Sequence, residues 1–128
     1  VYTGTHDNET LLGWLDSIPA AARQLVRDYL CDSFTPKEEL NWPLIALVKR
    51  SCARICVIPM QDYLGLDNSG RMNKPSTVGT NWLWRLERGA LTQGLQETLR
   101  KLAVRYGRAE PLPEAAPCIA LEEVQAEQ

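Results

Sequence analysis

The sequence predicts a helix-rich α/β fold, and three observations carry that expectation. Two runs have the composition of strands, Val1-Tyr2-Thr3-Gly4-Thr5 and Ala53-Arg54-Ile55-Cys56-Val57-Ile58-Pro59-Met60. The residues between them repeat apolar side chains at helical spacing. Each run then breaks into a polar pair containing an aspartate, His6-Asp7 after the first and Gln61-Asp62 after the second. Two neighbouring strands joined through helices are most simply parallel, and parallel strands put their carboxyl ends on one edge of the sheet. That edge is where α/β folds bind ligands and carry out chemistry. The tetrapeptide His6-Asp7-Asn8-Glu9 thus places a carboxylate in a catalytic position, while an Asx-turn capping the next helix accounts for the same residues.

Each element follows from its local pattern. Gly13-Trp14-Leu15 leads into a helix in which Ile18, Ala22, Leu25, Val26, Tyr29 and Leu30 form one apolar face. Thr35-Pro36-Lys37-Glu38 has the form of a capping box with proline at the first helical position, so a fresh helical turn is expected there. Asn41-Trp42-Pro43 restarts a helix, with Leu44, Leu47 and Val48 as its buried face. Lys49 and Arg50 fall near its carboxyl end, where the macrodipole favours positive charge. The second strand run is rich in β-branched residues and reads as buried on both faces. Pro59 must end it, because an interior position needs the missing N–H.

Between Leu64 and Thr80 the chain is rich in Gly, Asn, Ser and Pro, which predicts a long loop on the same edge. Trp82 and Trp84 follow closely. Aromatic rings beside amides and carboxylates suit hydroxyl-rich ligands, whose sugar faces stack on rings while their hydroxyls bond to Asp, Asn and Gln. From Leu91 to Tyr106 the positions Leu91, Leu95, Leu99, Leu102 and Tyr106 form the stripe of a core-facing helix, closed by Gly107 as a left-handed cap.

A chain of 128 residues is long enough for one modest core. Packed structure is expected over residues 1–107, and residues 108–128 read as an acidic, proline-containing tail without packed structure. Lys plus Arg (14) nearly balance Asp plus Glu (16), and no basic run stands out, which argues against nucleic acid and anionic membrane as partners. No stretch approaches the ~20 apolar residues of a membrane span, so a soluble, cytoplasmic protein is expected. The first residue is a valine inside an apparent strand, which suggests a piece of a longer polypeptide. The cysteines, Cys31, Cys52, Cys56 and Cys118, read as buried, reduced thiols. A metal site on Cys52 and Cys56 is not expected, since neither a CxxC spacing nor a paired histidine motif is present.

Several blocks taken together resemble a known family. Val1-Tyr2-Thr3-Gly4-Thr5-His6-Asp7-Asn8, Gly13-Trp14, Ile58-Pro59-Met60-Gln61-Asp62-Tyr63-Leu64-Gly65-Leu66, Arg71-Met72-Asn73 and Asn81-Trp82-Leu83-Trp84-Arg85-Leu86 are similar to the carboxyl-terminal part of 4-α-glucanotransferases, also called amylomaltases or disproportionating enzymes. They occur in the family's order across about residues 1–107, and several motifs in series are more specific than one. The resemblance implies a (β/α)8 barrel, of which this chain would hold the last two strand–helix units. It also implies retaining transfer of an α-1,4-glucan segment from a donor to the 4-hydroxyl of an acceptor glucan, carried by carboxylates without a cofactor.

By the matching positions, Asp7 would be the carboxylate that stabilises the oxocarbenium-like transition state. His6 would bond a hydroxyl of the same sugar, and Asn73 would contact the donor side. The nucleophile and acid/base, which a retaining enzyme holds roughly 5 Å apart, would lie upstream of this chain. Asp62 is set aside as nucleophile, because the family gives that role to an earlier strand; capping the loop after the second strand is its expected task. The expected partners are maltooligosaccharides and the upstream remainder of the polypeptide. Alternatives are a non-catalytic glucan-binding module and an α-glucan hydrolase. Glu9 stands where the family often has aspartate, and Tyr63 where leucine is usual. Ser76 and Thr80 replace frequent glycines, which puts the loop before Trp82 in question, since glycine there would supply positive φ.

Overall fold

In the computed structural model, which describes residues 1–110, both extended runs and a helical layer are in place. Thr10 caps α1 (Leu11–Ser17), its hydroxyl accepting the Gly13 N–H at 3.1 Å. The single helix expected across residues 18–30 is broken at Pro19, which cannot continue a hydrogen-bond ladder and instead starts α2 (Ala20–Leu30). Ile18, Val26 and Leu30 pack on the core formed by Leu12, Leu15 and Leu40. Leu25 and Tyr29 stay 69% and 74% exposed, so the apolar face is narrower than the periodicity implied. Fully burying a leucine such as Leu15 contributes about 1.5–3 kcal/mol.

The capping box at Thr35 does not form. Its hydroxyl donates to Asp32 at 2.5 Å, and the Asp32 carboxylate also accepts the N–H groups of Phe34 and Thr35. These hydrogen bonds, led by that from the Thr35 hydroxyl, hold the Asp32 carboxyl below its ordinary value. The helical turn that follows is a 3-10 helix, Lys37–Glu39, tied back to α1 by an ion pair between Lys37 and Asp16.

Helix α3 (Asn41–Lys49) is central, packed against α1, α2, α4 and α5. Its most buried positions are Asn41, Ile45 and Lys49, one line at i, i+4 and i+8. Leu44, Leu47 and Val48, expected to be its buried face, are only half-buried, and of these Leu44 packs on the core. The Lys49 ammonium lies over the Tyr63 ring, 5.7 Å from its centroid.

The two extended runs are parallel neighbours, as expected. Tyr2 and Val57 form a parallel bridge, the Val57 N–H donates to the Val1 carbonyl at 3.0 Å, and the Val1 backbone nitrogen donates to the Ile55 carbonyl at 2.9 Å. The second run is not buried on both faces: Ile55 is 70% and Val57 57% exposed. Among the described residues no further strand lies beside either run, so their β-branched side chains meet solvent. Pro59 ends the run and caps α4 (Met60–Tyr63).

Thr92 caps α5 (Gln93–Arg105), accepting the Leu95 N–H at 3.1 Å. The helix is less core-facing than its stripe implied. Leu95, Leu99, Leu102 and Tyr106 are half-buried and Leu91 is exposed, because α5 packs on α3 along one side only. Gly107 takes the left-handed conformation, φ +64°. Arg108 then reaches back to donate to the carbonyls of Lys49, Ser51 and Ala53, satisfying groups left open where α3 ends. The tail expected over residues 108–128 lies, from residue 111 on, outside the described residues, as does Cys118. The other thiols are free, but Cys31 and Cys52 are exposed and Cys56 half-buried rather than buried. Cys31 is exposed because it closes α2 in the left-handed conformation, at the end of the helix. Among the described residues no helix is long and apolar enough to cross a membrane.

Gly13 is the glycine at which an added side chain would meet its nearest neighbour. A Cβ there would stand 2.2 Å from Asn68 Oδ1, and Asn68 cannot withdraw without losing its 2.9 Å hydrogen bond to Glu9. Gly13→Ala is therefore expected to cost about 1–2 kcal/mol, read as a lower melting temperature.

Candidate functional site

The polar edge is built on a buried carboxylate. Asp62 is 3% exposed, and its oxygens accept the Thr3 hydroxyl at 2.6 Å and the Leu11 N–H at 2.8 Å. Contrary to expectation, it therefore does not cap the loop after its own segment. It caps α1 from across the chain, because the parallel pairing delivers it beneath the open N–H groups of that helix. Asn41 supports it from α3, its side-chain amide donating to the Asp62 carbonyl at 2.8 Å.

Between those anchors, residues 5–8 form a tight turn. Asn8 Oδ1 accepts both the Thr5 N–H at 2.7 Å and the Thr5 hydroxyl at 2.8 Å. This is not the helix-capping Asx-turn expected, since Asn8 reaches back to Thr5 while Thr10 caps α1, and the turn leaves the His6 and Asp7 side chains 56% and 47% exposed. The long loop closes over them. It holds one 3-10 turn, Asn68–Gly70, capped by Asp67, whose carboxyl is lowered by its bonds to Ser69. The Asn73 N–H donates to the His6 carbonyl at 3.0 Å, and Asn73 Nδ2 donates to Asp7 Oδ1 at 2.6 Å.

His6, Asp7 and Asn73 are thus brought together. His6 Nε2 lies 3.2 Å from Asp7 Oδ1, while Asp7 Oδ2 has no partner among the described residues. The Trp82 ring lies 5.0 Å from the His6 ring at 38°. Trp84 does not join it, and lines a separate cavity of about 640 Å³ with Lys74 and Asn81. Both extended runs end at a cavity of about 400 Å³, lined by Thr5, His6, Gln61, Asp62, Arg71 and Met72 among others, whereas Asp7 lines a neighbouring one of about 630 Å³ with Tyr2, Glu9, Trp14 and Arg71. The arrangement offers a carboxylate with one oxygen held and one open, beside an imidazole, an amide and aromatic surface: acceptors and donors for a hydroxyl-rich ligand.

Sequence reasoning gave no separate role to Arg71 or Glu9. Arg71 donates to the Asp7 carbonyl at 2.7 Å and the Asn73 carbonyl at 3.0 Å, and approaches Glu9 at 3.8 Å. Its place two residues before Asn73 was the available signal. The doubt over the missing glycines resolves position by position. Ser76 adopts φ +61° and Trp82 φ +67°, whereas beside Thr80 it is Gly79 that takes the positive φ. Left-handed backbone costs an L-residue about 1–2 kcal/mol, so Ser76→Gly should stabilise by up to about 1 kcal/mol and raise the melting temperature. Among the described residues no three His, Cys, Asp or Glu side chains converge as metal ligands would.

The sequence profile of the 4-alpha-glucanotransferase family matches residues 1–92. The chain belongs to that family. Among its members, the chloroplastic/amyloplastic 4-alpha-glucanotransferase DPE1 of Oryza sativa subsp. japonica is 42% identical over 107 residues, which are 84% of this chain and 18% of that protein. The 4-alpha-glucanotransferase of Thermus thermophilus is 42% identical over 106 residues, 80% of this chain and 21% of that one. The amylomaltase from Streptococcus agalactiae, solved in complex with acarbose, has the same fold over 84% of this chain and 21% of its own, with a TM-score of 0.78 and 30% identity. The chain spans about a fifth of the length of these 4-alpha-glucanotransferases.

Proposed function

We propose that this chain is the carboxyl-terminal part of a retaining 4-alpha-glucanotransferase and supplies the last two strand–helix units of its (β/α)8 barrel. The enzyme moves α-1,4-glucan segments from a donor to the 4-hydroxyl of an acceptor glucan or glucose. In this reading Asp7 binds ring hydroxyls of the donor sugar and holds them more tightly as the ring distorts toward the oxocarbenium-like transition state. His6 and Asn73 complete the donor-side contacts. The nucleophile and acid/base come from strands upstream of this chain, no cofactor takes part, and the enzyme works in the cytoplasm.

The observation that carries the reading is the Asp7 carboxylate itself. It stands on the edge where two parallel segments end, with Oδ1 held by Asn73 at 2.6 Å and Oδ2 open, in a chain of this family. The acarbose in the amylomaltase neighbour fits an α-glucan ligand. The test is to incubate the complete enzyme with maltotriose and resolve the products by chromatography. Glucose together with chains longer than the substrate supports transfer. Shorter sugars alone would make the enzyme a hydrolase, and no change would leave a glucan-binding module.

A further inference from the structure

We infer that Arg71 is a positioning residue that acts through Asp7, its guanidinium fixing the one register in which Asn73 can orient the Asp7 carboxylate. The inference rests on the transferase role proposed for Asp7.

Three groups of Arg71 face two segments, the one that carries Asp7 and Glu9 and its own loop at Asn73. One terminal nitrogen donates to the Asp7 carbonyl at 2.7 Å, Nε donates to the Asn73 carbonyl at 3.0 Å, and the other terminal nitrogen stands 3.8 Å from Glu9 Oε1. The side chain is 21% exposed, so these bonds are partly shielded from competing water. Asp7 and Arg71 are 64 positions apart in sequence, and the guanidinium ties the main chains of the turn and the loop directly. Within that frame the Asn73 N–H reaches the His6 carbonyl and the Asn73 amide reaches Asp7 Oδ1. Without Arg71, the Asp7 and Asn73 carbonyls lose their shared donor, and only the two Asn73 bonds and the Asn68–Glu9 bond remain to hold a loop that carries left-handed backbone at Ser76 and Trp82.

Lysine cannot replace this residue. A guanidinium presents its donors in a rigid planar fork, whereas an ammonium is a point charge on a flexible stem. With Arg71→Lys the charge near Glu9 is kept while the Asp7–Asn73 register is released. A misplacement of about 1 Å can cost roughly 100-fold in rate. The expected loss in kcat on maltotriose is therefore roughly 10- to 100-fold, with KM changed by less than about 3-fold, since Asp7 is used mainly in the transition state.

The experiment is a double-mutant cycle in the complete enzyme, with Arg71→Lys, Asp7→Asn and the pair, measured as kcat per folded enzyme. If Arg71 acts through Asp7, adding Arg71→Lys to Asp7→Asn lowers kcat by less than about 3-fold. A merely structural residue would lower the melting temperature and leave kcat per folded enzyme unchanged, or lose activity additively with Asp7→Asn; either result overturns the inference. Arg71→Gln, which keeps a planar donor for one of the two carbonyls, serves in the same cycle if the lysine variant does not fold. Failure of the underlying reading looks different: wild-type enzyme that makes no longer chains, or Asp7→Asn with full kcat, would remove the transferase role of Asp7 and this inference with it.

Discussion

Replacing Asp7 with asparagine in the complete enzyme is expected to lower kcat for maltotriose by roughly 10²–10³-fold, the scale of removing one preorganised electrostatic contact, while KM moves little. The substitution preserves shape, and an amide oxygen can still accept from Asn73 Nδ2, which now donates to Asp7 Oδ1 at 2.6 Å. In the role proposed for Asp7, what is lost is the negative charge that would face a sugar ring becoming positive in the transition state. Only interactions stronger in the transition state than in the ground state accelerate the reaction, so the loss belongs in kcat. Initial rates of glucose release across a range of maltotriose concentrations separate the two constants. A rise in KM at unchanged kcat would make Asp7 a ground-state binding residue only.

Asp62 carries the second large effect, on stability. Asp62→Ala leaves the Thr3 hydroxyl and the Leu11 N–H without their acceptor, next to a side chain only 3% exposed. Each buried polar group left unpaired costs about 1–3 kcal/mol, so the total is expected at roughly 2–6 kcal/mol. Asp62→Asn keeps one acceptor oxygen and should cost roughly half of that. The melting temperature of the complete enzyme gives the first check, and hydrogen exchange of α1 localises the effect. Unchanged protection of the Leu11 amide would show that Asp62 does not hold the start of this helix.

The sequence made legible whatever short-range patterns encode. β-Branched composition marked both extended runs, and their parallel pairing followed from the helical connection. The runs of motifs around His6-Asp7 and Arg71-Met72-Asn73 pointed to residues that the fold brings within hydrogen-bonding distance. What stayed hidden depends on partners far away in the chain or on competition at close range. Thr35 had the form of a cap until Asp32, three residues earlier, claimed its hydroxyl. Pro19 was overlooked because the apolar periodicity ran through it. The burial expected for Val57 followed from composition, but burial needs neighbours on both faces. The partners of Asp62 are 51 and 59 positions away, and those of Arg71 include main-chain carbonyls, which leave no trace in side-chain pattern.

The distance along the chain between the two halves of the site also orders its assembly. The helices α1 to α3 can collapse around Leu12, Leu15 and Leu40 by closing short loops. Asp7, by contrast, meets Arg71 and Asn73 only after 64 and 66 positions of chain are brought round. Closing a loop of that size costs about 4 kcal/mol of chain entropy plus a constant, and contacts of such long range slow folding. During synthesis Asp7 therefore emerges well before the residues that orient it. An Asp7 carboxylate held by Asn73 is in this sense a report that folding of this part of the molecule has gone to completion.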